Sequence, residues 1–128
     1  MLAGLTQWLD AFGGAWEERD PQAAADLFTE DAVYQWGPFG RRLRGRLMIR
    51  EAWAETLEQQ ENISFGYEVM VATGGGGIAR CWCAFDKPAA RVHRRQEGVL
   101  RLAFDEEGLC TSLEEWWSDS EEPLDAAT

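Results

Sequence analysis

Glu115 and Tyr34 are the residues of this sequence best suited to moving a proton. Glu115 lies in the run Leu113-Glu114-Glu115-Trp116-Trp117. Strand alternation there puts Leu113, Glu115 and Trp117 on one face and Glu114 and Trp116 on the other. A carboxyl set among Trp36, Trp82 and Trp117 is desolvated, which favours its neutral form and lets it act as proton acceptor or donor. The competing reading pairs Glu115 with Arg80 or turns it to solvent beside Glu114. Tyr34 offers a hydroxyl for a ligand carbonyl, or a ring that packs with its hydroxyl at the rim. Both alternatives stay open for each residue on sequence alone.

Other reactive types are sparse or unsuitably spaced. Arg41, Arg42, Arg44 and Arg46 cluster in an otherwise acidic chain. They can draw in an anionic ligand or form a solvated, salt-bridged loop. His93, the sole histidine, sits among Arg91, Arg94 and Arg95 and reads as an exposed strand end. Cys81 and Cys83, two apart on a strand, share a face without disulfide geometry. With Cys110 they read as reduced, buried thiols, and neither a metal nor another cofactor is expected. Gly74 to Gly77 has no Lys-Ser or Lys-Thr after it, so it is a hairpin turn and not a phosphate loop.

Composition removes further classes. A formal net charge of −11 repels phosphates, so nucleic acid is not an expected partner. Hydrophobic residues at 45% and aromatics at 12% suffice for a core. No run reaches the roughly 18 apolar residues of a membrane span, so no membrane partner is expected. Met1 to Asp10 places no Lys or Arg ahead of its apolar residues, unlike a secretory signal, which leaves a cytoplasmic location as the expectation.

The elements that must position these residues follow from periodicity. Leu5, Trp8, Leu9, Phe12 and Trp16 recur at helical steps, marking a first helix. Asp20-Pro21 caps and opens a second, running through Phe28. Ala32 to Trp36 reads as a strand closed by Gly37-Pro38-Phe39-Gly40, followed by an arginine-rich crossover. Ile49, Trp53 and Leu57 mark a third helix over about 47–60. Four strands follow: one through Ile63 to Val71, one from Ile78 to Phe85, one ending in Val99 to Phe104, and one over Leu109 to Trp117. Helices first and hairpin-linked strands afterwards predict an α+β fold with an antiparallel sheet and helices on one face. Residues 1–117 form one domain in this reading, and 118–128 an acidic, frayed tail.

Several of these segments carry a resemblance. Trp16-Glu17-Glu18-Arg19-Asp20-Pro21 and Leu27-Phe28-Thr29-Glu30-Asp31-Ala32-Val33-Tyr34 resemble the opening of SnoaL-like members of the nuclear transport factor 2-like superfamily. Pro38-Phe39, Arg44-Gly45-Arg46 and Ile49 are similar to that family's turn and third-helix entry, and Leu113 to Trp117 to its closing strand. The resemblance implies a cone-shaped, strongly curved sheet with three N-terminal helices over its concave face. It also implies a family that includes ketosteroid isomerases, polyketide cyclases, dehydratases and binding or association domains. Counting from Glu30-Asp31-Ala32, the isomerase base falls near Trp36 or Gly37, the phenol near Phe12 and the second acid near Leu100, none of which can do that chemistry. Dehydratases of the superfamily pair a histidine with an aspartate, and here His93 lacks an acid at the first-strand position.

Alternation together with the family arrangement puts Tyr34, Trp36, Arg80, Trp82, Leu100, Leu102, Leu113, Glu115 and Trp117 toward the cavity. Phe12, Trp16 and Trp53 close it from the helices. The expected function is an aromatic-lined pocket for a small apolar or planar molecule. One alternative is an isomerase, cyclase or hydratase using Glu115 as acid or base, with Tyr34 or Arg80 stabilising developing charge. The other is a homodimer through the convex sheet face, burying Trp116 and Val99.

Overall fold

The structure is a computed structural model that describes residues 2–124. Helix α1 spans Leu2–Glu17, and its apolar stripe of Leu5, Trp8, Leu9, Phe12 and Trp16 is at most 5% exposed. Gly13 lies where α1 meets the sheet. A Cβ there would come within 2.5 Å of the Phe65 ring, so only glycine lets the helix close this far. The Asp20 carboxylate accepts from the Ala23 amide at 3.0 Å and starts helix α2, Pro21–Ala25. This helix is shorter than its sequence suggests, because Phe28 belongs to the next strand.

Strand β1 runs Phe28–Gln35, and β2, Arg42–Arg44, folds back beside it where the sequence suggested only a crossover. Helix α3, Arg46–Glu58, buries Ile49, Ala52, Trp53 and Leu57. The remaining strands are β3 (Glu61–Thr73), β4 (Gly76–Lys87), β5 (Val92–Phe104) and β6 (Cys110–Pro123). They form one six-stranded sheet in the order β2-β1-β6-β5-β4-β3. Hairpins impose antiparallel pairing on β3 to β6, whereas β1 and β6 are remote in sequence and pair in parallel, with Tyr34 beside Leu113. The sheet is therefore mixed, with the α+β layering that the sequence predicts. No helix of the described residues is long and apolar enough to cross a membrane.

Two further sequence expectations change. The acidic stretch from Ser118 does not fray: β6 continues to Pro123, paired with β5 as far as Val92, and Arg94 Nε donates to Glu121 at 2.6 Å. Residues 125–128 lie outside the described residues. The face of β4 is also inverted. Leu100 pairs with Ala79, so Ala79, Cys81, Cys83 and Phe85 point inward, while Arg80 and Trp82 stand on the convex face. Both faces of β4 carry apolar residues, so alternation did not discriminate between them. Size settles it: the space beneath α1 takes small side chains, and the Trp82 indole lies against Gly66 of β3, where a Cβ would come within 2.3 Å of its nitrogen. Arg80 stacks on Trp82 at 4.9 Å and pairs with Glu97, so it is neither a partner of Glu115 nor a cavity residue.

Candidate functional site

The concave side of the sheet and the inner faces of α1 and α3 leave a cavity of ≈ 460 Å³. Its walls are Trp16, Tyr34, Trp36, Trp53, Phe85 and Trp117. Five of these were expected from the sequence; Phe85 follows from the corrected face of β4. Phe12, Leu100 and Leu113, also expected at the cavity, are fully buried beneath it and belong to the core. Phe12 is closed in by aromatic contacts to Trp8, Trp16, Trp53 and Phe65 at 5.0–6.0 Å.

Glu115 projects from β6 to the concave side at 7% exposure, and Tyr34 from β1 at 1%. The Tyr34 hydroxyl donates to the Glu115 carboxyl in a short hydrogen bond. Burial drives the Glu115 pKa from 4.5 up to about 7, against the lowering effect of the Tyr34 hydroxyl and the Trp117 indole. Burial, followed by the neighbouring Glu115 charge, pushes the Tyr34 phenol well above its ordinary value. The Trp36 indole lies close enough to favour the phenolate slightly but outside hydrogen-bond geometry, and its N–H is unpartnered, as is that of Trp53.

A second polar group escaped the sequence analysis. Gln60 sits between α3 and β3 at 7% exposure, lines the cavity, and accepts from the Trp16 indole at 2.8 Å. It lies three residues after Leu57, in line with the stripe of the expected third helix, but α3 ends at Glu58 and a glutamine there carries no mark of burial. The rim is polar, with Thr56, Lys87, Arg94 and Asp119.

The remaining candidates serve structure. Arg41 stacks on Trp36 at 5.7 Å and reaches Glu55 at 3.7 Å. Arg46 donates twice to the Phe28 carbonyl, at 2.9 and 2.7 Å. His93 Nδ1 lies 2.7 Å from Asp86, away from the cavity lining. Cys81, Cys83 and Cys110 are free and buried, and burial drives the Cys81 and Cys110 thiols up to about 12.

A curved six-stranded sheet with helices packed on its concave side is the architecture of the nuclear transport factor 2-like proteins. Within that class, the chain belongs to the SnoaL-like domain family, whose sequence pattern matches residues 5–113. Comparison with curated proteins returns no match. Solved structures agree on the fold. The epoxide hydrolase/cyclase-like enzyme SalBIII of salinomycin pyran ring formation aligns with TM-score 0.79 at 15% identity, over 91% of this chain and 92% of that one. A Catenulispora acidiphila protein with a ketosteroid isomerase-like fold, in complex with trimethylamine, aligns at 0.78 and 21% identity, over 88% and 85%. The Δ5-3-ketosteroid isomerase of a Mycobacterium species aligns at 0.76 and 15% identity, over 93% and 98%.

Proposed function

We propose that this chain binds a small apolar or planar molecule in the cone, with the Tyr34–Glu115 pair as the polar end of the site. The burial of Glu115 carries this reading. A carboxyl 7% exposed, with no cation against it among the described residues, costs folding free energy, and a packed core would hold an apolar side chain there. The cavity volume falls in the range of small-molecule sites, roughly 300–1,000 Å³, and its aromatic walls offer rigid faces to a flat ligand. Wild-type protein titrated with panels of planar and alicyclic hydrophobic molecules is expected to change its tryptophan fluorescence and melt at higher temperature. Panels that leave both untouched at saturation would remove the proposal.

A second reading, general acid–base catalysis, draws on the Glu115 pKa of about 7, which keeps both protonation states populated near neutrality. The carboxylate takes a proton from one ligand atom, and the resulting acid returns it to another. Tyr34 keeps its hydroxyl on the other Glu115 oxygen throughout and holds the carboxyl in place. This is isomerase-, cyclase- or hydratase-type chemistry, and Glu115→Gln should lower turnover by roughly 10²-fold or more. Wild-type protein inert toward unsaturated ketones, epoxides and enoates would argue for binding alone.

The convex face supports association between copies. Trp82 and Trp116 are 40% and 41% exposed there, and Arg80, Val99 and Trp116 are neighbours across β4, β5 and β6. We read this patch as a homodimer contact. Sedimentation should give a dimer that Trp116→Glu dissociates, and a wild-type monomer at high micromolar concentration would refute it.

A further inference from the structure

The orientation of Gln60 limits what the cavity can hold. An indole N–H only donates, so the oxygen of the Gln60 amide must face Trp16, and the 2.8 Å contact is to that oxygen. The amide NH2 is thereby turned away from Trp16. Among the described residues nothing accepts from it. Unlike the Trp36 and Trp53 nitrogens, it is not sealed inside the protein, and Gln60 belongs to the cavity wall. Trp16 is itself locked in place by Phe12, Trp53 and Phe65 at ring separations of 5.1–6.0 Å, so the amide cannot easily turn over. The result is a neutral donor on a residue only 7% exposed, held ready with no partner of its own.

We infer that Gln60 is the ligand's hydrogen-bond donor, and that the ligand is a neutral, largely apolar molecule bearing an acceptor oxygen, a ketone or ether and not a free acid. This rests on the binding reading above and adds the chemistry of the ligand to it. A neutral amide satisfies a carbonyl or ether oxygen fully. A carboxylate at Gln60 would instead add a second anion to a cavity that already contains Glu115 and Asp119; of the rim cations, Arg94 is engaged by Glu121, and Lys87 is the one whose capture of an acid the naphthoate probe tests. Trp16 acts here as a positioning residue, through Gln60.

Three probes of one shape separate the possibilities: 2-acetylnaphthalene, 2-ethylnaphthalene and 2-naphthoic acid, titrated at pH 8 and followed by ligand-observed NMR. Wild-type protein should hold the ketone roughly fivefold to tenfold tighter than the hydrocarbon, the range of one neutral hydrogen bond. Naphthoate should bind weakest. Gln60→Met removes the donor, and the double variant Gln60→Met/Trp16→Phe removes it together with the indole N–H left without its acceptor, so the second variant folds even where the first does not. Each should bring ketone and hydrocarbon to equal affinity. Equal binding of the two in wild type, a ketone preference that survives in both variants, or naphthoate as the tightest probe would overturn the role of Gln60 and leave the binding reading standing. If none of the three binds, the binding reading itself falls, and this one with it.

Discussion

Tyr34 donates its hydroxyl to Glu115 although 81 positions separate them in the chain. The parallel pairing of β1 with β6 sets Tyr34 beside Leu113, so the next inward residue of β6 is Glu115. This register gives the carboxyl a neutral donor and, among the described residues, no cation against it, which is why burial dominates its pKa.

Stability should therefore depend on pH through Glu115. The folded state holds its proton up to about pH 7, whereas the unfolded chain releases it near 4.5. Between those values the unfolded state binds fewer protons, so folding stability falls as pH rises and levels off above about 7. The loss integrates to about 3 kcal/mol. Glu115→Gln keeps an acceptor for Tyr34 and cannot ionise, so its advantage over wild type should grow across that window. Urea melts at half-unit steps from pH 4.5 to 8 measure the difference, and a constant offset would contradict the burial argument.

Tyr34→Phe tests the other partner. The hydroxyl lowers the Glu115 pKa, so its loss should raise that pKa above 7. At pH 8 the substitution strands a buried carboxylate and should cost about 1.5–3 kcal/mol; at pH 5, where the carboxyl is neutral, the cost should shrink toward about 1 kcal/mol. Denaturant melts at the two pH values compare them, and equal costs would show that the bond does not couple to ionisation.

Periodic segments made most of the fold legible in the sequence. The α1 stripe, the α3 stripe and the strand turns lie where their patterns put them, because burial of one face at fixed spacing leaves a regular signal. The inward face of β6 was legible for the same reason, with Leu113, Glu115 and Trp117 alternating against solvated neighbours. On β4 both faces are apolar, so Arg80 and Trp82 carried no mark of their outward direction. Cavity and core were indistinguishable as well: Phe12 and Trp16 share one stripe, but only the depth of the cone separates them. Gln60 continues the spacing of Trp53 and Leu57 just past the end of α3, but its polar type does not signal burial, which depends on a tertiary bond to Trp16.

The adjacent glycines of α1 should respond in opposite ways to alanine. Alanine in a helix interior gains up to about 1 kcal/mol over glycine. At Gly14 the nearest atom to an added Cβ is the Glu18 carboxylate at 3.9 Å, so Gly14→Ala should stabilise by about 0.5–1 kcal/mol. At Gly13 the added carbon would lie 2.5 Å from a Phe65 ring that Phe12 and Trp16 hold in place. Overpacking there should outweigh the helical gain and destabilise by about 1–2 kcal/mol. Thermal melts of the two variants decide it, and stabilisation by both would mean that the contact between α1 and β3 yields.

Trp16 and Trp53 provide the last comparison, because they share a buried aromatic cluster and differ in the fate of one N–H. Both are at most 5% exposed and their rings lie 5.1 Å apart. Changing either to phenylalanine removes the same volume of indole, so the packing loss is common to the pair. The polar consequences are opposite. Trp53→Phe removes an indole N–H that has no partner, relieving a desolvation cost, while Trp16→Phe leaves the buried Gln60 oxygen without its donor. Trp16→Phe should therefore cost about 1–3 kcal/mol more than Trp53→Phe. It should also free the Gln60 amide to turn, so the ketone preference should weaken in Trp16→Phe and persist in Trp53→Phe. Denaturant melts supply the first difference and the matched naphthyl probes the second. Equal losses in both measurements would mean that the Trp16–Gln60 bond neither stabilises the protein nor orients the amide.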